Sequence, residues 1–202
     1  MLHFDAVPSP VRSLLSLLPR RPALAGFALG GGTSLALRCG HRVSVDLDFF
    51  TARAFDPEQL ALQLDLADAV QVNRAVNTLT LDAGGVKLDF LRHAYPLLAP
   101  PEIIEGIPLM ALADVVAMKL NALANRGAKK DFYDLCELQN QFPLGAMIRW
   151  FEQKYRAADR FTVIRSLVWF EDAESDPDPV SLTGMTWLDV KSAIRASVAA
   201  LV

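Results

Sequence analysis

A triple glycine followed by an aspartate pair, LGGGTSLALRCGHRVSVDLDFF from Leu29 to Phe50, constrains this chain more than any other stretch. Gly30, Gly31 and Gly32 end an apolar run, and glycine lets backbone approach a ligand closely and take positive φ. Thr33, Ser34, Leu35, Ala36 and Leu37 then read as the first turns of a helix. Free N–H groups at such a start favour phosphate. The helix is expected to stop at Cys39-Gly40, where glycine is a natural C-terminal residue.

Val43 to Phe50 reads as a strand. Val43, Val45, Leu47 and Phe49 take one face, and Ser44, Asp46, Asp48 and Phe50 the other. Two carboxylates this close stay ionised together only where a cation or basic group compensates them. Divalent magnesium fits, because it takes hard oxygen ligands and shares them with substrate phosphates. The competing reading is a solvent-facing pair on an edge strand. Neither Gly-x-x-x-x-Gly-Lys-Ser/Thr nor Gly-x-Gly-x-x-Gly occurs, which argues against a P-loop or a dinucleotide site.

A third carboxylate lies downstream. Asn77 to Asp82 and Val86 to Arg92 alternate on either side of Ala83-Gly84-Gly85, a β-hairpin pattern. Its second strand carries Lys87, Asp89 and Leu91 on one face. If it pairs beside Val43–Phe50, Asp89 joins Asp46 and Asp48 in a three-carboxylate metal site; otherwise Asp89 faces solvent. Further helices are expected to open at Ser9, with serine as cap, and at Asp56-Pro57.

Residues 93–108 are proline-rich and read as loop with a brief strand near Ile107; beyond them the pattern is helical. The expected division is a core over residues 1–108 and a helical domain over 109–202. Lys119 and Arg126 sit seven apart on one helix and can point together at an anion. Asp131 and Asp134 lie one turn apart on the next. The plainer alternatives are a solvated Lys119 and an Asp131 that compensates a helix N-terminus. Residues 171–179 read as an acidic loop, and Thr186 to Asp189 as a capping box opening a final helix.

The chain has 202 residues, is 52% hydrophobic and carries a formal net charge of −3. That suits a buried core and speaks against a broad nucleic-acid-coating surface, although Arg38/His41/Arg42 and Arg126/Lys129/Lys130 form local basic sets. Cys39 and Cys136 show no metal spacing. No signal peptide or membrane-spanning run is evident, so a cytoplasmic protein that avoids membranes is expected.

Four segments in order, GGGTSLAL, HRVSVDLDFF, VKLDFL and DVVAMKLNALANRGAKKDFYDL, resemble the AbiEii/AbiGii-type nucleotidyltransferase toxin family, within the DNA polymerase β-like superfamily. The likeness spans Leu29 to Leu135. It implies an α+β fold: a small mixed sheet with flanking helices, followed by a C-terminal helical domain. It implies transfer of NMP from an NTP to a hydroxyl, with RNA or tRNA as acceptor, by a toxin with a cognate antitoxin or a phage-defence role. Gly31 and Gly32 would hold phosphates, with Thr33 or Ser34 adding a hydroxyl. Asp46, Asp48 and Asp89 would bind magnesium, two ions in all, and Asp89 would help deprotonate the acceptor. Lys119 would neutralise triphosphate charge, and Asp131 would support catalysis. Gly30 departs from the basic residue frequent in relatives. Small-molecule adenylylation and a non-catalytic nucleotide-binding module are the alternative functions.

Overall fold

The computed structural model of the chain describes residues 1–201. They divide into two compact units. The first comprises Met1–Gly40, Ser44–Pro96 and Pro100–Met110; the second comprises His41–Val43, Leu97–Ala99 and the chain from Ala111 onward.

The first unit is a seven-stranded mixed sheet with helices. In chain order it contains α1 (Ser9–Leu17), β1 (Ala28–Leu29), α2 (Gly31–Cys39), β2 (Leu47–Thr51), α3 (Pro57–Leu64), β3 (Ala69–Ala75), β4 (Thr78–Ala83), β5 (Val86–Arg92), β6 (Glu102–Ile104) and β7 (Ile107–Leu109). The strand order is β3-β4-β5-β2-β1-β7-β6. β2 runs parallel to β5 and antiparallel to β1. The alternation seen in the sequence sorts the two faces. Leu47 and Phe49 of β2, Leu79 and Leu81 of β4, and Leu88 and Phe90 of β5 are buried in one core with Val11 and Leu15 of α1, Leu37 of α2, and Leu60 and Leu64 of α3. The in-register rings of Phe49 and Phe90 stack at 5.5 Å. Asp48, Asp89 and Thr80 fall on the opposite face.

Three expectations need correction. α1 is capped by Pro8, and Ser9 is its first helical residue with no capping bond. The strand expected over Val43–Phe50 begins only at Leu47, because the backbone upstream is bonded elsewhere: the Val43 N–H donates to the Val180 carbonyl and that of Ser44 to Ala6. Alternation fails there too, with Ser44 buried and Val45 53% exposed. Asp46 therefore precedes the strand that carries Asp48. Finally, the brief strand expected near Ile107 is β7, but the stretch before it, read as loop, holds β6, and the two pair as a hairpin that runs to Leu109.

The second unit is helical: α4 (Leu112–Asn125), α5 (Lys129–Gln139), α6 (Leu144–Lys154), α7 (Arg160–Leu167), α8 (Glu171–Glu174) and α9 (Trp187–Ala199). The acidic stretch read as loop thus opens with a single turn of helix, α8. The capping box of α9 is formed in both directions between Thr186 and Asp189. Asp114, fully buried on α4, accepts the backbone N–H groups of Leu98 and Ala99 and the Lys154 ammonium. No described helix is long and apolar enough to cross a membrane.

Candidate active site

The first unit brings two of its aspartates together through sheet register. Asp48 of β2 is the direct parallel partner of Asp89 of β5. Parallel neighbours lie about 4.8 Å apart with side chains on the same face, so the carboxylates share one patch. Thr80, opposite Asp89 across the hairpin, donates to Asp89 Oδ1 at 2.6 Å. Lys87 Nζ donates to Asp89 Oδ2 at 2.6 Å. That hydrogen bond, with attraction from Asp89, Asp48 and Asp46, holds the Lys87 ammonium above its ordinary pKa against a smaller cost of burial. All three carboxylates thus act on one cation.

The glycines shape the other wall. The Gly30 N–H donates to the Asp48 carbonyl at 2.8 Å. A Cβ at Gly30 would enter the Phe50 ring, 2.7 Å from its Cδ2, so a basic side chain there would require that ring to move. Gly31, the first residue of α2, has φ +63°, and a Cβ there would lie 2.1 Å from Asp48 Oδ2. The Asp48 carboxylate therefore rests against the start of α2, in space that only glycine leaves open. Gly31→Ala is expected to cost about 1–2 kcal/mol in backbone strain and, by displacing Asp48, about 10²-fold in activity. A urea titration and a turnover assay on one preparation check both; unchanged turnover would contradict the placement.

Thr33 and Ser34 were expected to offer hydroxyls to phosphate. Thr33 is buried; its Oγ1 donates to the Asp46 carbonyl and lies 2.8 Å from Ser44 Oγ. It ties the segment carrying Asp46 to α2, which places Asp46 without a strand. Ser44, seen in the sequence as sharing a strand face with Asp46, is instead buried in this contact. Ser34 is fully buried and its Oγ has no hydrogen-bond partner.

Among the described residues no three His, Cys, Asp or Glu side chains form a ready-made metal cage. The donor set nonetheless fits a hard cation. It consists of carboxylate oxygens on one sheet face, already holding an ammonium against Asp89.

The second unit holds a separate ionic cluster. Lys119 Nζ of α4 lies 2.8 Å from Asp131 Oδ1 and 2.6 Å from Asp134 Oδ2, both on α5. Arg126 pairs with Asp131 at 2.8 Å. The anion that Lys119 and Arg126 jointly address is thus Asp131 of the chain itself. Asp134 also receives Arg42 on both oxygens and His41 Nε2 at 2.7 Å. Asp131 and Asp134 are fully buried and Lys119 nearly so. Burial alone would lower the Lys119 pKa, but Asp134 and Asp131 outweigh it and hold it above the usual lysine value. Burial would raise both carboxyls; Lys119 and Arg126 hold Asp131 below its usual range, and Lys119 and Arg42 hold Asp134 well below.

Most of the basic residues singled out in the sequence are engaged internally. Arg38 bonds Glu102 and the Met110 carbonyl. Lys129 binds the Glu174 and Asp176 carbonyls and pairs with Asp178, beside the Trp187 ring.

Thr80 is legible in the hairpin pattern though not singled out there, since a turn at Gly84-Gly85 that pairs Ala83 with Val86 sets it opposite Asp89; Lys87 is placed on the Asp89 face by the same pattern, but alternation alone gives it no role. No local signal couples Arg42 to Asp134.

Comparison with known proteins agrees with this architecture. The family profile described as nucleotidyl transferase AbiEii toxin, Type IV TA system, matches residues 12–186. An uncharacterized protein of Aquifex aeolicus (strain VF5) is 39% identical over 157 residues, 74% of this chain and 76% of that one. Among solved structures, the MenT4 nucleotidyltransferase toxin of Mycobacterium tuberculosis H37Rv superposes with a TM-score of 0.67 at 18% identity, covering 94% of this chain and 80% of its own. JHP933 of Helicobacter pylori superposes with a TM-score of 0.57 at 16% identity, covering 96% and 94%. The fold is that of nucleotidyltransferase toxins. The chain belongs to the AbiEii family and is a nucleotidyltransferase.

Proposed function

We propose that this enzyme moves NMP from an NTP to a hydroxyl of RNA, with tRNA the leading acceptor, using divalent magnesium held by Asp46, Asp48 and Asp89. The observation that carries the reading is the in-register pair Asp48–Asp89 set against Gly31 at the start of α2. Backbone N–H groups of Gly31 and Gly32 hold triphosphate oxygens there. The acceptor oxygen attacks the α-phosphorus, the bond to the β-phosphate bridging oxygen breaks, pyrophosphate leaves, and the hydroxyl proton passes to Asp89. Bound metal, two ions in this scheme, supplies neutralisation of the charge on the attacking and leaving oxygens.

Lys119 and Asp131 take a different part. In this state their ion pair fastens α4 to α5. For Lys119 to neutralise a triphosphate, its ammonium must exchange Asp131 or Asp134 for phosphate, while Asp131 keeps Arg126.

An RNA acceptor is the reading to which the family likeness leads, and the second unit carries an open cleft lined by Arg149, Glu152, Gln153 and Arg156. Glu152 is drawn to Arg160 at 3.2 Å, so the two cleft arginines suit backbone phosphates. Membership in a toxin–antitoxin family supports a cognate antitoxin as partner. Purified protein with magnesium, each α-labelled NTP and total RNA tests the proposal. Label is expected in RNA, and the labelled size class names the acceptor. Label that enters only small molecules overturns the RNA reading.

A further inference from the structure

Lys87 stands at the carboxylate site, and the reaction as proposed has no use for its charge. It stands on the face of β5 that carries Asp89, two positions away, with its ammonium 2.6 Å from Asp89 Oδ2. Asp89 Oδ1 is already taken by Thr80. Each Asp89 oxygen thus already accepts one hydrogen bond, and a metal or a hydroxyl proton competes with Lys87 and Thr80 for the negative charge there. The two are unequal. The Thr80 side chain is held in a buried position on β4, whereas the Lys87 side chain is 53% exposed on a long, flexible stem.

We propose that Lys87 is the counter-cation of this carboxylate pair, a positioning residue whose ammonium competes with metal for Asp89 and turns away when metal binds. This rests on the carboxylate reading above. The physical need is direct. Asp48 and Asp89 are forced side by side by register, and without a nearby cation their mutual repulsion would strain the β2–β5 pairing on which the sheet depends. The ammonium supplies compensation until metal binds. The stabilisation it gives is surrendered when a divalent ion enters, so Lys87 weakens the apparent metal affinity. The exposed stem provides an exit, and the departing ammonium stays near the triphosphate that arrives with the metal.

The test is Mn²⁺ binding without nucleotide, read by the paramagnetic resonance signal of the free ion, on wild type, Lys87→Met, Lys87→Arg and Asp48→Asn. Lys87→Met is expected to bind Mn²⁺ about fivefold more tightly, the scale of one exposed ion pair; Lys87→Arg keeps the charge and stays near wild type. A thermal melt gives a crossed readout. In EDTA Lys87→Met melts below wild type, and the gap closes as Mn²⁺ is added. Lys87→Gln serves if the methionine variant does not fold. Asp48-dependent binding that is no tighter in Lys87→Met, or in Lys87→Gln where that serves, than in wild type overturns the counter-cation and leaves the metal site standing. Binding equal in wild type and Asp48→Asn overturns both.

Discussion

Replacing Asp48 by asparagine is expected to lower nucleotidyl transfer by about 10²–10³-fold or more, the cost of losing a group that stabilises transition-state charge, while the protein stays folded. The substitution keeps the shape of the side chain, so the gap above Gly31 remains filled. It removes one of two negative charges that β2–β5 register sets side by side, so stability is expected to hold or rise slightly. Loss of activity with retained stability is the signature that separates a functional carboxylate from a structural one. Single-turnover incorporation of labelled NMP measures the first quantity and a urea midpoint the second. Turnover within a few-fold of wild type would remove Asp48 from the site.

The opposite signature is expected for Asp134. Asp134→Ala strips a carboxylate from Arg42, His41 and Lys119, all buried. Breaking a buried ion pair from one side costs on the order of 3–5 kcal/mol, a large share of the roughly 5–15 kcal/mol that holds a domain together. The cluster also dictates how stability responds to pH. Asp134 and Asp131 have depressed carboxyl pKa values in the folded chain. Their contribution is complete above the ordinary carboxylate pKa of 3.8 and is lost as pH falls through the lower folded values. Lys119 is shifted the other way, so its contribution is complete below the ordinary lysine value of 10.5 and is lost as pH rises through the higher folded one. Urea midpoints from acid to alkali should trace a plateau with both edges for wild type, and a lower, flatter acid edge for Asp134→Ala. Coinciding acid edges would show that the cluster contributes little.

Much of this architecture could be read in the chain because it is written in local chemistry. Gly40 stops α2 in a left-handed conformation at φ +63°. Asp56 caps α3 through the N–H groups of Glu58 and Gln59. Gly84-Gly85 turns the hairpin, and alternation through Val86–Arg92 puts Asp89 on the face where Asp48 lies. Reading stopped where long-range partners decide. Val43–Asp46 alternates like a strand, yet its backbone bonds run to Ala6 and Val180. Thr33 looks like a phosphate hydroxyl until its contact with the Asp46 carbonyl is seen. Lys119 and Arg126 do converge on an anion, but helix geometry alone could not reveal that Asp131 supplies it.

The pairing order of the sheet also sets a timetable. β2 waits for β5 and β1 waits for β7, so the central strands are joined by chain that is made much later. A ribosome must release the chain past Arg92 before Asp48 can meet Asp89, and past Leu109 before β1 gains its second neighbour. Closing such spans is the slow part of assembling a sheet. A product of premature termination ahead of β5 would carry the glycine turn and two aspartates but no third. In the function proposed above, such a product lacks the carboxylate that takes the acceptor proton, so the proposed chemistry begins only once β5 has been made and paired.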